Sequence, residues 1–453
     1  MNTMKSSRPA DTQIRHHAAI PTTRFCRVGF SDRTMTPFLL MLPATLLASG
    51  PAALADSPCV NWTRRSPATS PPARNSHTMA YDSARGVTVL FGGNVGGQSS
   101  LGDTWEWDGT NWAQRSPAIS PPARWSHTMV YDSVRDVTVL FGGISFDGGP
   151  HYFGDTWEWN GTNWTQRNVT GSCCALNGTC SVTTSQNCSG TWANGRTCSP
   201  SPCPQSSAPS PSAREFHAMA YDSVRGVTVM FGGWNNNTLG EIWEWNGTTW
   251  TQRFPVISPL ARSGHAMIYD SARGVTVLFG GQNSGSILLN DLWEWDGQTW
   301  TQSIPTTSPS ARYFHAMVYD IASGVTILLG AHANGSTETW EWDGMIWRQL
   351  NPESIPPGRG RHAMAYDSAR SVTVMFGGLG LTSLGDTWEY GVPFLDADLN
   401  ESCVGDGPDI APFVSALLSV STASSDLRHA DFNGNGVIDE GDVPGFTQKL
   451  LCP

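Results

Sequence analysis

The sequence predicts an all-β, six-bladed β-propeller, and three observations predict it. A phrase anchored on Arg-x-x-His recurs six times, at Arg74/His77, Arg124/His127, Arg214/His217, Arg262/His265, Arg312/His315 and Arg359/His362. Each copy reads as four short strands joined by hairpin turns, with no helical periodicity. The sixth copy stops one strand short, and the missing strand is written ahead of the first copy: VNWTRRSPA at 60–68 matches TNWAQRSPA at 110–118. Repeats of this length build arrays of identical units. Four antiparallel strands per unit, with an N-terminal strand completing the last blade, close the array and hide the edges that invite aggregation.

In chain order, residues 1–55 read as a leader, because the apolar run at 38–48 is followed by small residues ending Ala-Leu-Ala. Met35 is an alternative start. No later stretch approaches the roughly 18 apolar residues of a membrane helix, so an exported chain without membrane insertion is expected. The formal net charge is −11, and the leader carries six Lys/Arg against two Asp/Glu, so the remainder is more acidic still. That balance argues against nucleic acid or anionic lipid as partner, since both require clustered cations.

The propeller is expected over residues 58–390. In the first copy HTMAYD alternates as a half-buried strand, and GVTVLFGG is β-branched and apolar, as a strand covered on both faces requires. TWEW and NWAQR supply the third and fourth strands, with Asp-Gly or Asn-Gly hairpin chemistry between them. The steps between successive Arg-x-x-His arginines are 50, 90, 48, 50 and 47, so the long step contains an insertion, at 169–205. It holds Cys173, Cys174, Cys180, Cys188, Cys198 and Cys203. In an exported chain that density predicts a small disulfide-rich insert of undetermined connectivity, with a zinc site as the rival reading.

The paired glycines Gly92-Gly93, Gly142-Gly143, Gly232-Gly233, Gly280-Gly281 and Gly377-Gly378, with the Tyr and Trp positions that follow, resemble those of kelch-repeat propellers. Gly330-Ala331 breaks the pair in the fifth copy. The resemblance implies the six-bladed fold and a binding role. It also touches a copper-radical oxidase family resembling galactose oxidase, whose copper site needs a Tyr cross-linked to a Cys; no cysteine lies in the propeller strands of this chain.

Residues present in every copy are expected to perform one structural task six times, whereas a catalytic site is a singular arrangement of unlike groups. The Arg-x-x-His pairs are therefore read as hydrogen-bonded braces between blades, and no catalytic residue is assigned. What varies is the loop between the second and third strands and the two residues inside Arg-x-x-His, all of which emerge on one face. Trp125, His151, Tyr152, Phe216, Trp234, Tyr313 and Phe314 are the candidate ligand-binding rim on that face, for a glycan or a protein loop. Asp147 and Glu215 are the singular acids there.

Residues 396–453 form a second kind of repeat. Asp431, Asn433, Asn435, Val437, Asp439 and Asp442 stand at positions 1, 3, 5, 7, 9 and 12 of a calcium loop, with Gly436 at the turn. Asp398, Asn400, Ser402, Val404, Asp406 and Asp409 form a weaker copy, in which Cys403 takes the glycine position. Each loop leads into a single amphipathic helix, so the tail resembles a dockerin. The resemblance implies calcium as cofactor and a cohesin-like or other surface protein as partner. The leading expectation is an exported, non-enzymatic recognition protein that is secreted, periplasmic or held at the cell surface. The alternative is an extracellular carbohydrate-active enzyme.

Overall fold

The computed structural model describes residues 60–97, 99–167, 171–174, 180–183, 191–193, 210–331 and 337–391. The leader and the calcium-loop residues lie outside the described residues.

Six four-stranded antiparallel sheets follow one another as blades. Blade one comprises Thr78–Asp82, Val87–Asn94, Ser100–Trp107 and Trp112–Arg115, paired in chain order. Blades two to five repeat this order. Blade six is made of Ala363–Asp367, Val372–Leu379 and Ser383–Gly391, and its fourth strand is Asn61–Arg65, with Trp62 opposite Tyr390. The expected closure by the N-terminal strand is therefore the observed one.

Stability comes from sheet faces pressed against neighbouring sheets. In the second strand of blade one Val89, Leu90 and Phe91 are all fully buried. Alternation sends Leu90 into an apolar cluster with Val374 and Phe376 of blade six, and Val89 and Phe91 into one with Met129 and Leu140 of blade two. Six such clusters occupy the six blade interfaces, and the one uniting blades six and one closes the ring. Tryptophans of the WEW and NW phrases fill these interfaces, where Trp107 and Trp112 meet at 5.5 Å. Some of their indole N–H groups find partners in the adjacent blade, as Trp112 Nε1 donates to Thr387 Oγ1 at 2.9 Å. Others bond the acid two residues earlier in their own blade, as Trp105 does Asp103, and those of Trp300, Trp342 and Trp347 meet none.

The glycine pair has a steric cause. Gly92 sits at φ +64°, and a Cβ there would lie 2.6 Å from the carbonyl of Arg124 and 3.0 Å from Cε1 of His127, both in the next blade. The register shifts between Phe91 and Gly93, and again between Phe376 and Gly378, so the chain bulges where the next blade's link crosses it. Blade five, with Gly330-Ala331, pairs without a shift. There Gly330 faces Cβ of its own blade's His315 at 2.7 Å, the place taken by Gly93 against His77 in blade one.

The insertion contains a three-stranded antiparallel sheet, Gly171–Cys174 flanked by Cys180–Thr183 and Thr191–Ala193. Of the six cysteines expected to form bridges, Cys188, Cys198 and Cys203 lie outside the described residues, and the others are described as backbone only.

Candidate ligand-binding face

The recurrent polar residues tie blades together. Arg74 is fully buried between blades six and one. Its backbone N–H donates to Leu384 and its carbonyl accepts from Gly378, both in blade six. Its guanidinium donates to the Gly92 carbonyl and, in a two-pronged pair at 2.7 Å, to Asp103 of blade one. Arg124 repeats this with Asp155, Arg262 with Asp291 and Arg359 with Asp386, whereas Arg214 and Arg312 use Glu241 and Glu338. The arginines are thus the braces their repetition predicts. The acid opposite each one, two residues before the first Trp of the WEW phrase, escaped the sequence reading although it recurs in the same place.

The histidines depart from expectation in how they brace. Neither nitrogen of His77 meets hydrogen-bond geometry, although the Phe376 backbone faces the ring. The imidazole instead wedges between blades, edge-on to Phe376 at 5.5 Å; His127, His217, His265 and His315 repeat the arrangement, and His362 faces Leu329 instead of a ring. Burial, and secondarily the adjacent arginine, keeps these groups neutral, with His217, His315 and His362 lowered to about 3. Among the described residues no group of three or more His, Cys, Asp or Glu is placed to hold a metal ion.

An acid-stability prediction follows from the imidazoles. The unfolded chain takes up their protons near about 6.5, and the ring takes them up only far lower. Stability is therefore full above the unfolded value and is lost as pH falls from there toward about 3. The loss is about 1.4 kcal/mol per pH unit for each histidine. Asp103, Asp155, Asp291 and Asp386 act in the same direction, since burial would raise them but the paired arginine overrides it and holds them low. Urea midpoints are expected to hold from pH 8 down to about 7 and then to fall steadily to pH 4, and a flat profile throughout would contradict buried neutral imidazoles.

The face bearing the first-to-second and third-to-fourth strand hairpins is also repetitive. Buried Glu106 accepts from Arg85 and Arg115 of its own blade and from Trp159 Nε1 of the next. Arg85 in turn packs on Gly161 of blade two, and Asp108 caps its own turn by accepting from the backbone N–H of Thr110 and Asn111. The tyrosines of the first strands face an aspartate of the preceding blade; burial first, and Asp367 second, push Tyr81 up to about 12.

The opposite face carries the differences. The first variable residue inside Arg-x-x-His pairs with the segment after the glycine pair in five blades, through the bridges Asn75–Asn94, Trp125–Ile144, Glu215–Trp234, Ser263–Gln282 and Gly360–Leu379. The second variable residue of every link, Ser76, Ser126, Phe216, Gly264, Phe314 or Arg361, lies at φ +54° to +64°. Each donates its backbone N–H to the carbonyl of its counterpart one blade back, at 2.8–3.1 Å, which makes a closed circle of six hydrogen bonds around the axis. Beneath it lies a central cavity of about 210 Å³, lined by these residues and by the His-(Thr/Ala)-Met steps that follow them.

The circle gathers side chains from blades far apart in sequence. Trp125 stacks on Phe146 at 5.9 Å and meets Phe216 edge-on at 6.2 Å; Phe216 meets Phe314 at 4.7 Å, and Phe314 meets Tyr313 at 4.4 Å. Gly264, between the two phenylalanines in the circle, makes room for them, since a Cβ there would lie 3.0 Å from the Phe314 ring. Arg361 lays its guanidinium over Phe314 at 4.3 Å and Phe216 at 5.5 Å. Of the predicted rim, Trp125, Phe216, Tyr313 and Phe314 thus form one cluster. Tyr152 and Trp234 form a second, where the Trp234 indole faces the Tyr152 hydroxyl. His151 is exposed and packs on Phe153 at 4.7 Å, and Phe153 itself covers buried Arg124 at 3.8 Å.

Comparison with known proteins agrees with the blade description. Residues 244–393 match the KLHDC2/KLHL20/DRC7 Kelch-repeats domain. Over that span the blades are similar to kelch repeats. A solved structure titled "Structure of YjhT" shares the fold at 14% identity and a TM-score of 0.50, covering 71% of this chain and 95% of that one. No curated protein matches the chain.

In this propeller two charged groups of the variable face stand apart. Glu215 is 6% exposed, and its Oε2 meets no hydrogen-bond donor. Burial raises its carboxyl to about 7, against the opposing pull of Arg361 and Ser126. Burial likewise lowers Arg361. Glu215 was legible as a singular acid. Arg361 was not, because nothing in its own link marks it as reaching across to blades three and five.

Proposed function

We propose that the chain is an exported recognition protein whose kelch propeller presents its variable face to a protein or glycan ligand. The observation that supports this reading is the convergence of unlike residues, from blades two, three, five and six, on one end of an otherwise sixfold scaffold. Exposed rings with adjacent polar groups suit sugar faces and apolar loops alike. Groups shared by all blades are committed to blade contacts and leave selectivity to these.

The tail belongs to the same proposal. Asp431, Asn433, Asn435, Val437, Asp439 and Asp442 offer the hard oxygen set that calcium takes, and a dockerin-like module would attach the ring to a cohesin-like surface protein. The third strand of blade six, Ser383–Gly391, starts at the variable face and ends at the other, so such a tether leaves that face free. The cysteines of the insertion are proposed to form bridges, in keeping with export. The carbohydrate-active alternative would draw on Glu215 as proton donor and needs a second carboxylate about 5–9.5 Å away. Asp147, on the exposed turn of a two-stranded hairpin in blade two (Ile144–Ser145 paired with His151–Tyr152), is its candidate.

Glycan and peptide arrays probed with the wild type and with a Trp125→Ala/Trp234→Ala/Tyr313→Ala variant test the reading. A ligand bound by the wild type and weakened at least tenfold in the variant is the expected outcome. Binding to neither array would end the proposal.

A further inference from the structure

We propose that Glu215 and Arg361 form the polar clamp for an uncharged, hydroxyl-rich ligand, a neutral oligosaccharide, on the variable face. This rests on the variable face being the recognition surface, and it names the ligand class and the residues that select it.

The two groups are exceptions within the molecule. Among the described residues every other buried carboxylate holds an arginine at 2.5–2.7 Å. Every fully buried arginine of the links likewise holds a carboxylate. Glu215 and Arg361 form no ion pair, with each other or with any described residue, although Arg361, over the rings of Phe216 and Phe314, is near enough to pull on the Glu215 carboxyl. A buried carboxylate oxygen left without a donor is expensive to retain unless something satisfies it, and the half-buried Arg361 keeps donors available on the same face. Trp125 adds a third group, since its indole N–H is buried without an acceptor.

The charge pattern decides the ligand class. A carboxylate ligand would satisfy Arg361 but confront Glu215, and an ammonium ligand would satisfy Glu215 but confront Arg361. A hydroxyl both donates and accepts without net charge, so a pair of sugar hydroxyls satisfies acceptor and donors together. The C–H face of the sugar ring then covers the exposed Tyr313 and the half-buried Trp125. An extended peptide is less well served. The link backbones here are already paired, Trp125 with Ile144 and Glu215 with Trp234, so they offer no free edge for strand addition.

Binding is expected to vary with pH, because an ionised carboxylate accepts hydrogen bonds more strongly than a neutral acid. Glu215 titrates near about 7, so affinity should rise as pH increases through that value. The groups facing Glu215 are Ser126 and Tyr152 from blade two and Arg361 from blade six. Tyr152 is raised and Arg361 keeps its charge, so neither changes in this window. His151, beside Tyr152 on the exposed edge of the hairpin, belongs to the same rim, and loss of the pH response in His151→Gln would assign that response to His151 and overturn the part given to Glu215.

The test uses immobilised cellotetraose, xylotetraose and mannotetraose, with trigalacturonate as a charged probe and a peptide array, at pH 5.5 and 8.5. The wild type is expected to bind a neutral tetraose at least tenfold more tightly at pH 8.5 and to ignore trigalacturonate. Glu215→Gln should weaken that binding at least tenfold at pH 8.5 and flatten the pH response. Arg361→Gln should weaken it at both values. The wild-type pH response requires no variant, so it stands even if a substitution disturbs folding. Neutral-sugar binding lost in the aromatic triple variant but untouched by Glu215→Gln and Arg361→Gln would overturn the clamp and leave the recognition face standing. Preference for trigalacturonate, or binding to peptides alone, would overturn the ligand class.

Discussion

Removal of the closing strand Asn61–Arg65 is expected to abolish the folded monomer. That strand supplies five register pairs to Ser383–Gly391, the buried Trp62 with its hydrogen bond to Thr339, and the Arg65 partner of buried Glu389. A buried tryptophan alone is worth about 3–5 kcal/mol, against a total stability of about 5–15 kcal/mol for a typical domain. The deletion also bares the edge of Ser383–Gly391, an open template for association. Size-exclusion chromatography should show soluble aggregate or loss of the protein, and adding a peptide of residues 57–68 should restore monomer. A monomeric truncated ring with the wild-type urea midpoint would contradict the closure.

Arg262→Ala is expected to lower unfolding free energy by about 3–5 kcal/mol, the cost of breaking a buried charge pair from one side. The guanidinium is fully buried, bonds Asp291 through both nitrogens and satisfies the carbonyls of Gly280 and Leu260. Its removal strands that carboxylate and those carbonyls at the interface of blades three and four. Equilibrium urea unfolding reads the loss directly, and a change under about 1 kcal/mol, the scale of a surface pair, would show that the arginine is no brace.

Much of this architecture was legible because the chain repeats its instructions. Strand order, the borrowed strand and the assignment of variable segments to one face all follow from alternation, turn chemistry and the displaced VNWTRRSPA phrase. What stayed hidden depends on convergence in space. The acids Asp103, Asp155, Asp291 and Asp386 recur in register, but only the fold shows them 2.6–2.9 Å from the link arginines. The positive φ of Ser76, Phe216 and Arg361 has no glycine to announce it, since a cyclic backbone ladder imposes it. Arg361 reaches the rings of blades three and five only because all six links meet at the axis. The histidines were read correctly as scaffold and incorrectly as hydrogen-bonded, since packing against the preceding blade holds them.

The most direct measurement is urea unfolding at pH 8 of Arg262→Ala beside Glu215→Gln. Recurrent groups should carry stability and singular ones should not, so Arg262→Ala should lose about 3–5 kcal/mol. Glu215→Gln should match or exceed the wild type, because a carboxyl raised by burial destabilises the fold once ionised. The reverse order, a ring indifferent to Arg262 and undone at Glu215, would contradict the division between scaffold and recognition face.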